Sequence, residues 1–300
     1  LAGRIAAATG ARLLTDTLIP RMARGAGTPM ATSLPYPVEP KIETLRGTSS
    51  ITLVGTGRPV TFFAYPGKPS LPEPPDCVIA DLALPEDDIA WTLNALADAT
   101  GAHAATPDLR PLDLPDLPTG PFTLAKAGAA LAALMPENAI LCNEAITSGF
   151  HVAPPLANAR PHDMLGGTGG AIGWCLPGAV GAAVACPDRP VVAMTGDGSA
   201  MYTVQSLWTM ARESLDITVI VFANKGYQIL RDELKNVGVN SYGANAQAMF
   251  DVVTPELDWV ALARGHGMPA HRAEDTDGFI AALKAGFDTP GPRLIELVCP

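Results

Sequence analysis

Two short apolar runs, VVAM at 191–194 and ITVIVF at 217–222, bracket a stretch in which Met201, Val204, Leu207, Trp208 and Ala211 recur at helical spacing. Continuous runs rich in β-branched residues predict strands covered on both faces, and the recurrence between them predicts a helix packed on those strands. A strand–helix–strand unit of this length makes the strands parallel, because only a crossover returns the chain in the same direction. The alternation continues on both sides. Beyond residue 122 it predicts helices at 123–134, 258–264 and 278–287, a closely packed helix within 169–186, and strands at 139–143, 269–272 and 294–298. Before residue 102 it predicts short strands at 11–14, 50–55, 60–65 and 77–82, and helices at 41–45 and 86–99. This is the pattern of two α/β domains, each Rossmann-like with a doubly wound parallel sheet. Between them Pro107, Pro111, Pro115, Pro118 and Pro121 fall in a stretch without periodicity, the composition of a semi-rigid linker. The expected organisation is a domain at 1–101, a linker at 102–121 and a domain at 122–300.

The predicted strand–helix–strand unit also carries the candidate chemistry. Asp197 and Asn224 follow its two strands, on the edge where open α/β sheets bind ligands. Gly196 and Gly198 permit a sharp turn and close approach of a ligand. The amides of Gly198, Ser199 and Ala200 are expected to open a helix and to face an anion. Asp197 offers a carboxylate oxygen, Asn224 an amide oxygen and Gly226 a carbonyl. Three hard oxygens beside an anion-binding turn suit Mg²⁺, with diphosphate oxygens and water completing its shell. A Gly-Asp-Gly turn alone is an ordinary turn. Its coupling, at this spacing, to a strand-terminal Asn224-Lys225-Gly226-Tyr227 is what points to a site.

Gly196-Asp197-Gly198 through Asn224-Lys225-Gly226-Tyr227 resembles the thiamine diphosphate signature of the acetolactate synthase, benzoylformate decarboxylase and pyruvate decarboxylase superfamily. The upstream run GGTGGAIGWCLPGAVGAAVACPDRPVVAMTGDG, 166–198, resembles the same domain's approach to that motif. The wording GDGSAMYTVQSLWTMARE and FANKGYQIL is nearest to acetolactate synthase large-subunit-like and benzoylformate decarboxylase-like proteins. The likeness runs from Phe122 onward and is looser before it.

The resemblance implies thiamine diphosphate, with Mg²⁺ held by Asp197, Asn224 and Gly226, and a 2-oxo acid substrate that loses CO₂ before protonation or carboligation. It implies that Gly170 presents its carbonyl to the aminopyrimidine, that Ile172 is the apolar wedge that bends the cofactor, and that Ser199 and Tyr227 lie at the diphosphate. Thr147 and Ser148, expected in the loop after the 139–143 strand, are read either as diphosphate contacts or as a cap for the next segment. Ile229 and Leu230 are candidates for the substrate pocket or for helical core. A site formed between subunits, hence a homodimer or homotetramer, is also implied. So is a pyrimidine-binding domain before Leu1, carrying the family's catalytic glutamate. No glutamate in this sequence is assigned that role; Glu144 is expected to orient its loop. The chain then reads as half of an active site, with a split cofactor-binding subunit or a non-catalytic fragment as the alternatives.

Flavin is not expected, since Val54-Gly55-Thr56-Gly57 lacks the third glycine and a clean strand–turn–helix, and the first domain reads as a scaffold. The remaining composition narrows the partners. Three hundred residues, 48% hydrophobic, are ample for two buried cores. A formal charge of −10 without a basic run argues against a nucleic-acid or anionic-membrane surface. The five cysteines show no CxxC spacing and read as reduced thiols of a cytoplasmic protein. The opening residues lack signal-peptide character, and the apolar 169–186 stretch, holding Pro177, reads as packed helix rather than membrane span. His151 and His162 flank the glycine-rich stretch; either a reach toward substrate or a solvated or structural place is open to them.

Overall fold

The computed structural model describes residues 1–299 except the side chain of Thr168; Pro300, the last residue of the expected second domain, lies outside the described residues. The chain forms two compact units. One comprises Leu1–Thr17 and Pro29–Leu109, the other Leu18–Thr28 and the chain from Arg110 onward. The division differs from the expected one in two places. Residues 102–109 belong to the first unit, because Ala102 is fully buried with Ile5 and Ala97 in that unit's core. Proline content, on which the linker was read, carries no information about that burial. Residues Leu18–Thr28 leave the first unit, because the strand within them, Arg21–Arg24, pairs with the second unit's sheet. Its sequence RMAR offers no apolar run to announce a strand.

The first unit is α/β with parallel pairing in two small sheets, Ser50–Val54 with Val78–Ala83 and Leu14–Thr15 with Thr32–Ser33. Its helices are Ala2–Thr9, Val38–Leu45 and Ile89–Thr100. The last is capped by Asp88, whose side chain accepts the Trp91 amide. The expected strand at 60–65 does not form. Pro59 and Pro66 bracket that segment, and its aromatic residues Phe62, Phe63 and Tyr65 cluster with Tyr36 instead of lining a ladder.

The second unit holds a seven-stranded sheet: β1 (Arg21–Arg24), β2 (Ile140–Asn143), β3 (His162–Gly166), β4 (Val191–Gly196), β5 (Ile217–Ala223), β6 (Ala270–Ala273) and β7 (Arg293–Val298). Their spatial order is β6-β7-β5-β4-β2-β3-β1, all parallel except the antiparallel β1 at the edge. The helices follow the strands as α1 (Leu124–Leu134), α2 (Ile146–Leu156), α3 (Cys175–Ala185), α4 (Asp197–Ala200), α5 (Ser206–Arg212), α6 (Gln228–Asn236), α7 (Ala244–Phe250), α8 (Trp259–Gly265) and α9 (Thr276–Asp288). Strand residues divide by parity between two cores. Leu141, Val192, Met194, Ile220, Phe222 and Ile295 pack on one face, and Cys142, Val191, Ala193, Val219, Val221 and Leu294 on the other. Burial on both faces is why these strands read as unbroken apolar runs. Each fully buried Leu, Ile or Phe contributes about 1.5–3 kcal/mol.

Several elements depart from the sequence expectation. The helix expected across 201–211 is instead a 3₁₀ turn at Met201–Thr203, directly after α4, followed by α5 from Ser206. Trp208, expected on its buried stripe, is 51% exposed and packs instead against the Arg212 guanidinium. β3, with the sequence HDMLG, and α2, with Pro154 and Pro155 in its last turn, were not legible as strand and helix.

From β2 the chain moves to β3 on one side, and from β4 to β5 on the other. The strand order therefore reverses between the adjacent strands β2 and β4, which opens a crevice at their carboxyl ends. The helix α2, which leads away from this crevice, is seated closely on α1 through Gly128. A Cβ added there would lie 2.6 Å from the Val152 carbonyl oxygen and 2.9 Å from its Cα. Gly128→Ala is expected to push the two helices apart and to lower stability by about 1–3 kcal/mol. An unchanged midpoint in chemical denaturation would show that this approach does not hold the helix pair.

Candidate active site

The candidate site is built from the segments that follow β2, β3, β4 and β5, all at the carboxyl edge of the parallel strands. β4 passes into α4 with no intervening loop, so Asp197 stands at the first helical position, directly after the strand. Asp197 is buried, with 3% of the residue exposed. Its Oδ1 accepts the Gly198 amide at 2.8 Å, and its Oδ2 accepts the Lys225 amide at 2.7 Å. The second bond ties the end of β4 to the loop after β5. Lys225 takes a left-handed φ of 60°, which turns its amide toward the carboxylate side of the loop. Next to it, the Asn224 Oδ1 accepts the Gly226 amide at 3.3 Å. The loop is held on its far side by backbone bonds from Tyr227 to Phe250 and from Val252 to Lys225.

Burial, the largest influence, pushes the Asp197 carboxyl above the usual carboxylate range, against the pull of its amide donors. A carboxylate placed this way has unused lone pairs and an unmet charge, which is the setting a hard divalent cation stabilises. The space is also present. A Cβ built on Gly196 or Gly169 meets nothing within 4 Å, so the backbone at both faces open room. The residues therefore fit a cation bearing a diphosphate.

Gly198 plays a different part from the one expected. Its amide is engaged by Asp197 rather than turned to an anion, and the Tyr227 ring lies over it, where an added Cβ would come within 2.4 Å of Cε1. Burial is the main cause raising the Tyr227 hydroxyl pKa, with Tyr202 and Asp197 adding to it. Thr147 and Ser148 stand not in a loop but in the first turn of α2, Thr147 half-buried and Ser148 buried. Gly170 lies in an exposed turn with φ of 68°. Ile172, beside it, is 46% exposed. Ser199 is half-buried within α4. Ile229 and Leu230 fall on α6, with Leu230 exposed. His162 opens β3, about 13 Å from that strand's carboxyl end, and is buried with Nδ1 against the Arg160 carbonyl. It belongs to the opposite edge of the sheet. His151 is exposed on α2.

Glu144 is more tightly committed than its sequence position suggested. Its buried carboxylate accepts amides from Gly173, Trp174 and Cys175 at the start of α3, and the Thr195 hydroxyl lies 3.5 Å away. Burial again raises its pKa as the leading cause. Thr203 was missed altogether: its hydroxyl donates to the Gly173 carbonyl at 2.7 Å. Neither periodicity nor motif marks it, because the contact joins the 3₁₀ turn after α4 to the segment after β3.

This sheet order, with Asp197 at its switch point and Asn224 after the neighbouring strand β5, is that of a doubly wound α/β domain with its ligand crevice at the carboxyl edge. Residues 148–297 match the family described as "Thiamine pyrophosphate enzyme, C-terminal TPP binding domain". The chain belongs to the thiamine pyrophosphate-dependent enzymes. It is 44% identical over 300 residues to the Mycobacterium tuberculosis protein named "Putative acetolactate synthase large subunit IlvX", covering 100% of this chain and 58% of that one. It is 31% identical over 222 residues to a benzoylformate decarboxylase of Pseudomonas aeruginosa, covering 70% of this chain and 39% of the relative. In fold it superposes on the Rhodococcus jostii thiamine diphosphate-dependent 4-hydroxybenzoylformate decarboxylase with a TM-score of 0.79 and 24% identity, covering 99% of this chain and 58% of that one. The chain thus spans little more than half the length of the first and last of these proteins and matches well under half of the second.

The Tyr227 ring over Gly198 gives a direct test of the turn's geometry. Gly198→Ala is expected to displace the ring and to lower stability by about 1–3 kcal/mol, with a tyrosine difference signal in the near-ultraviolet. A variant with an unaltered spectrum and melting temperature would show that ring and turn are not in contact.

Proposed function

We propose that the second unit binds thiamine diphosphate through Mg²⁺ and forms the diphosphate-binding half of a 2-oxo acid decarboxylase or carboligase. The observation that carries this reading is the buried Asp197, at the switch point of the sheet, whose carboxylate accepts backbone amides and is tied through Lys225 to the loop that carries Asn224. Asp197, Asn224 and the Gly226 carbonyl would hold the cation. Ser199, Tyr227, Thr147 and Ser148 would border the diphosphate, and Gly170 and Ile172 the ring end of the cofactor. When bound, thiamine diphosphate supplies the electron sink that lets a 2-oxo acid lose CO₂. The chain's own contribution is to hold the cation that would offset the diphosphate charge and to fix the cofactor's direction.

The substrate is a 2-oxo acid in this reading. Relatives named for acetolactate formation and for benzoylformate decarboxylation support carboligation and simple decarboxylation alike. A homodimer or homotetramer in the cytoplasm, without nucleic-acid or membrane partners, completes the proposal. Among the described residues no helix is long and apolar enough to cross a membrane. A second reading is a cofactor-binding subunit completed by another polypeptide. It is favoured by Glu144, whose carboxylate is committed to the amides that open α3 and so is poorly placed to handle protons on a cofactor.

Calorimetric titration with thiamine diphosphate is expected to show binding in Mg²⁺ and none in EDTA, and Asp197→Ala is expected to abolish it. Binding that survives EDTA or the substitution would sink the assignment of the metal ligands. The affinity carries a pH signature as well. Protons compete with the cation for Asp197, and its raised pKa brings that competition nearer neutrality than for an exposed aspartate. Mg²⁺-dependent binding is therefore expected to weaken on acidification, beginning at a higher pH than it would with an exposed aspartate as ligand. Binding that does not weaken at all as pH falls would contradict a metal-ligating role for this carboxylate.

A further inference from the structure

We propose that Glu144 is a positioning residue which, together with Thr203, clamps Gly173 and so fixes the turn carrying Gly170 and Ile172 for the thiamine end of the cofactor. This rests on the thiamine diphosphate reading above, and it assigns a task separate from diphosphate anchorage. The segment 166–173 contains Gly166, Gly167, Gly169, Gly170 and Gly173. So many glycines give a backbone with many accessible conformations, and holding one of them needs specific contacts. The structure shows such contacts at Gly173. Its amide donates to the Glu144 carboxylate, its carbonyl accepts the Thr203 hydroxyl at 2.7 Å, and its φ is 85°. A Cβ there would lie 2.6 Å from the Tyr202 Cβ, so the position is closed on its third side.

Glu144 is itself anchored. Its amide donates to the Met194 carbonyl at 2.7 Å, and its second carboxylate oxygen accepts the Cys175 amide at 3.2 Å. One side chain thereby joins the segments after β2 and β3 to the end of β4. Ile172, next to the clamped residue, stays 46% exposed. A flexible turn would let an exposed isoleucine withdraw onto apolar surface; the clamp holds it out. A carboxylate suits the task because every partner around it is a donor. Glutamine would set an NH₂ group against an amide N–H.

The test compares two ligands on the full chain in Mg²⁺, thiamine diphosphate and inorganic diphosphate, by calorimetry. Glu144→Gln is expected to weaken thiamine diphosphate about tenfold while inorganic diphosphate changes by less than about twofold. Thr203→Val is expected to shift the same ratio in the same direction by about threefold. It decides the matter if the first variant does not fold. Parallel losses for both ligands, or no loss for either, would overturn the clamp. Failure of the unsubstituted chain to bind thiamine diphosphate would overturn the functional reading and the clamp with it. Normal binding with an unchanged ratio in the variants would overturn the clamp alone.

Discussion

The hydrogen bond from the Lys225 amide to the buried Asp197 carboxylate is the constraint on which the site depends. It fixes the end of β4 against the loop after β5, and it does so with a charge withdrawn from water. The arrangement is not optimal for the isolated polypeptide. Amide donors recover part of the cost of burying a carboxylate, and the raised pKa records the remainder. The surrounding sheet tolerates this because β5 is buried along its whole length and β4 along nearly all of it. Stability drawn from packing lower in the strands supports a strained electrostatic centre at their ends.

A second carboxylate, Glu144, repeats the device one strand away with a different outcome. Asp197 accepts amides from its own turn and from the loop after β5, whereas Glu144 is spent on the amides that open α3. Both pKa values are raised by burial. The difference lies in their surroundings: Glu144 is met by the amides before α3 and by the Thr195 hydroxyl of β4, while Asp197 is held by its own turn and a neighbouring loop. Two buried acids at one sheet edge therefore divide into one suited to a ligand and one suited to architecture. Family membership, shown by the match over residues 148–297, accords with that division without specifying it.

Much of this was legible in the residues. The apolar runs at 191–194 and 217–222 mark strands because both of their faces are covered, and a doubly covered strand must be continuously apolar. Thr123, Asp258 and Asp275 stand at helix starts as side-chain caps, a local rule that survives any tertiary context. The coupling of Asp197 with Asn224 follows from a parallel crossover of fixed handedness, so spacing alone sets them on one edge. What failed to show was equally physical. β1 and β3 are partly polar edge and near-edge strands, and the aromatic segment 60–65 looks like a strand only if its flanking prolines are ignored.

The sequence by itself determined the α/β class, the parallel sheet of the second unit, and the place of Asp197 and Asn224 after neighbouring strands, because each depends on period, chain direction or short-range turn chemistry. Only the tertiary structure decided the allegiance of Leu18–Thr28, the exposure of Trp208, the place of His162 at the far edge, and the closure of Gly173 between Glu144 and Thr203. Those depend on pairs of groups brought together from separate strands. No local pattern encodes such pairs, since their energy exists only after the sheet has set its order and register.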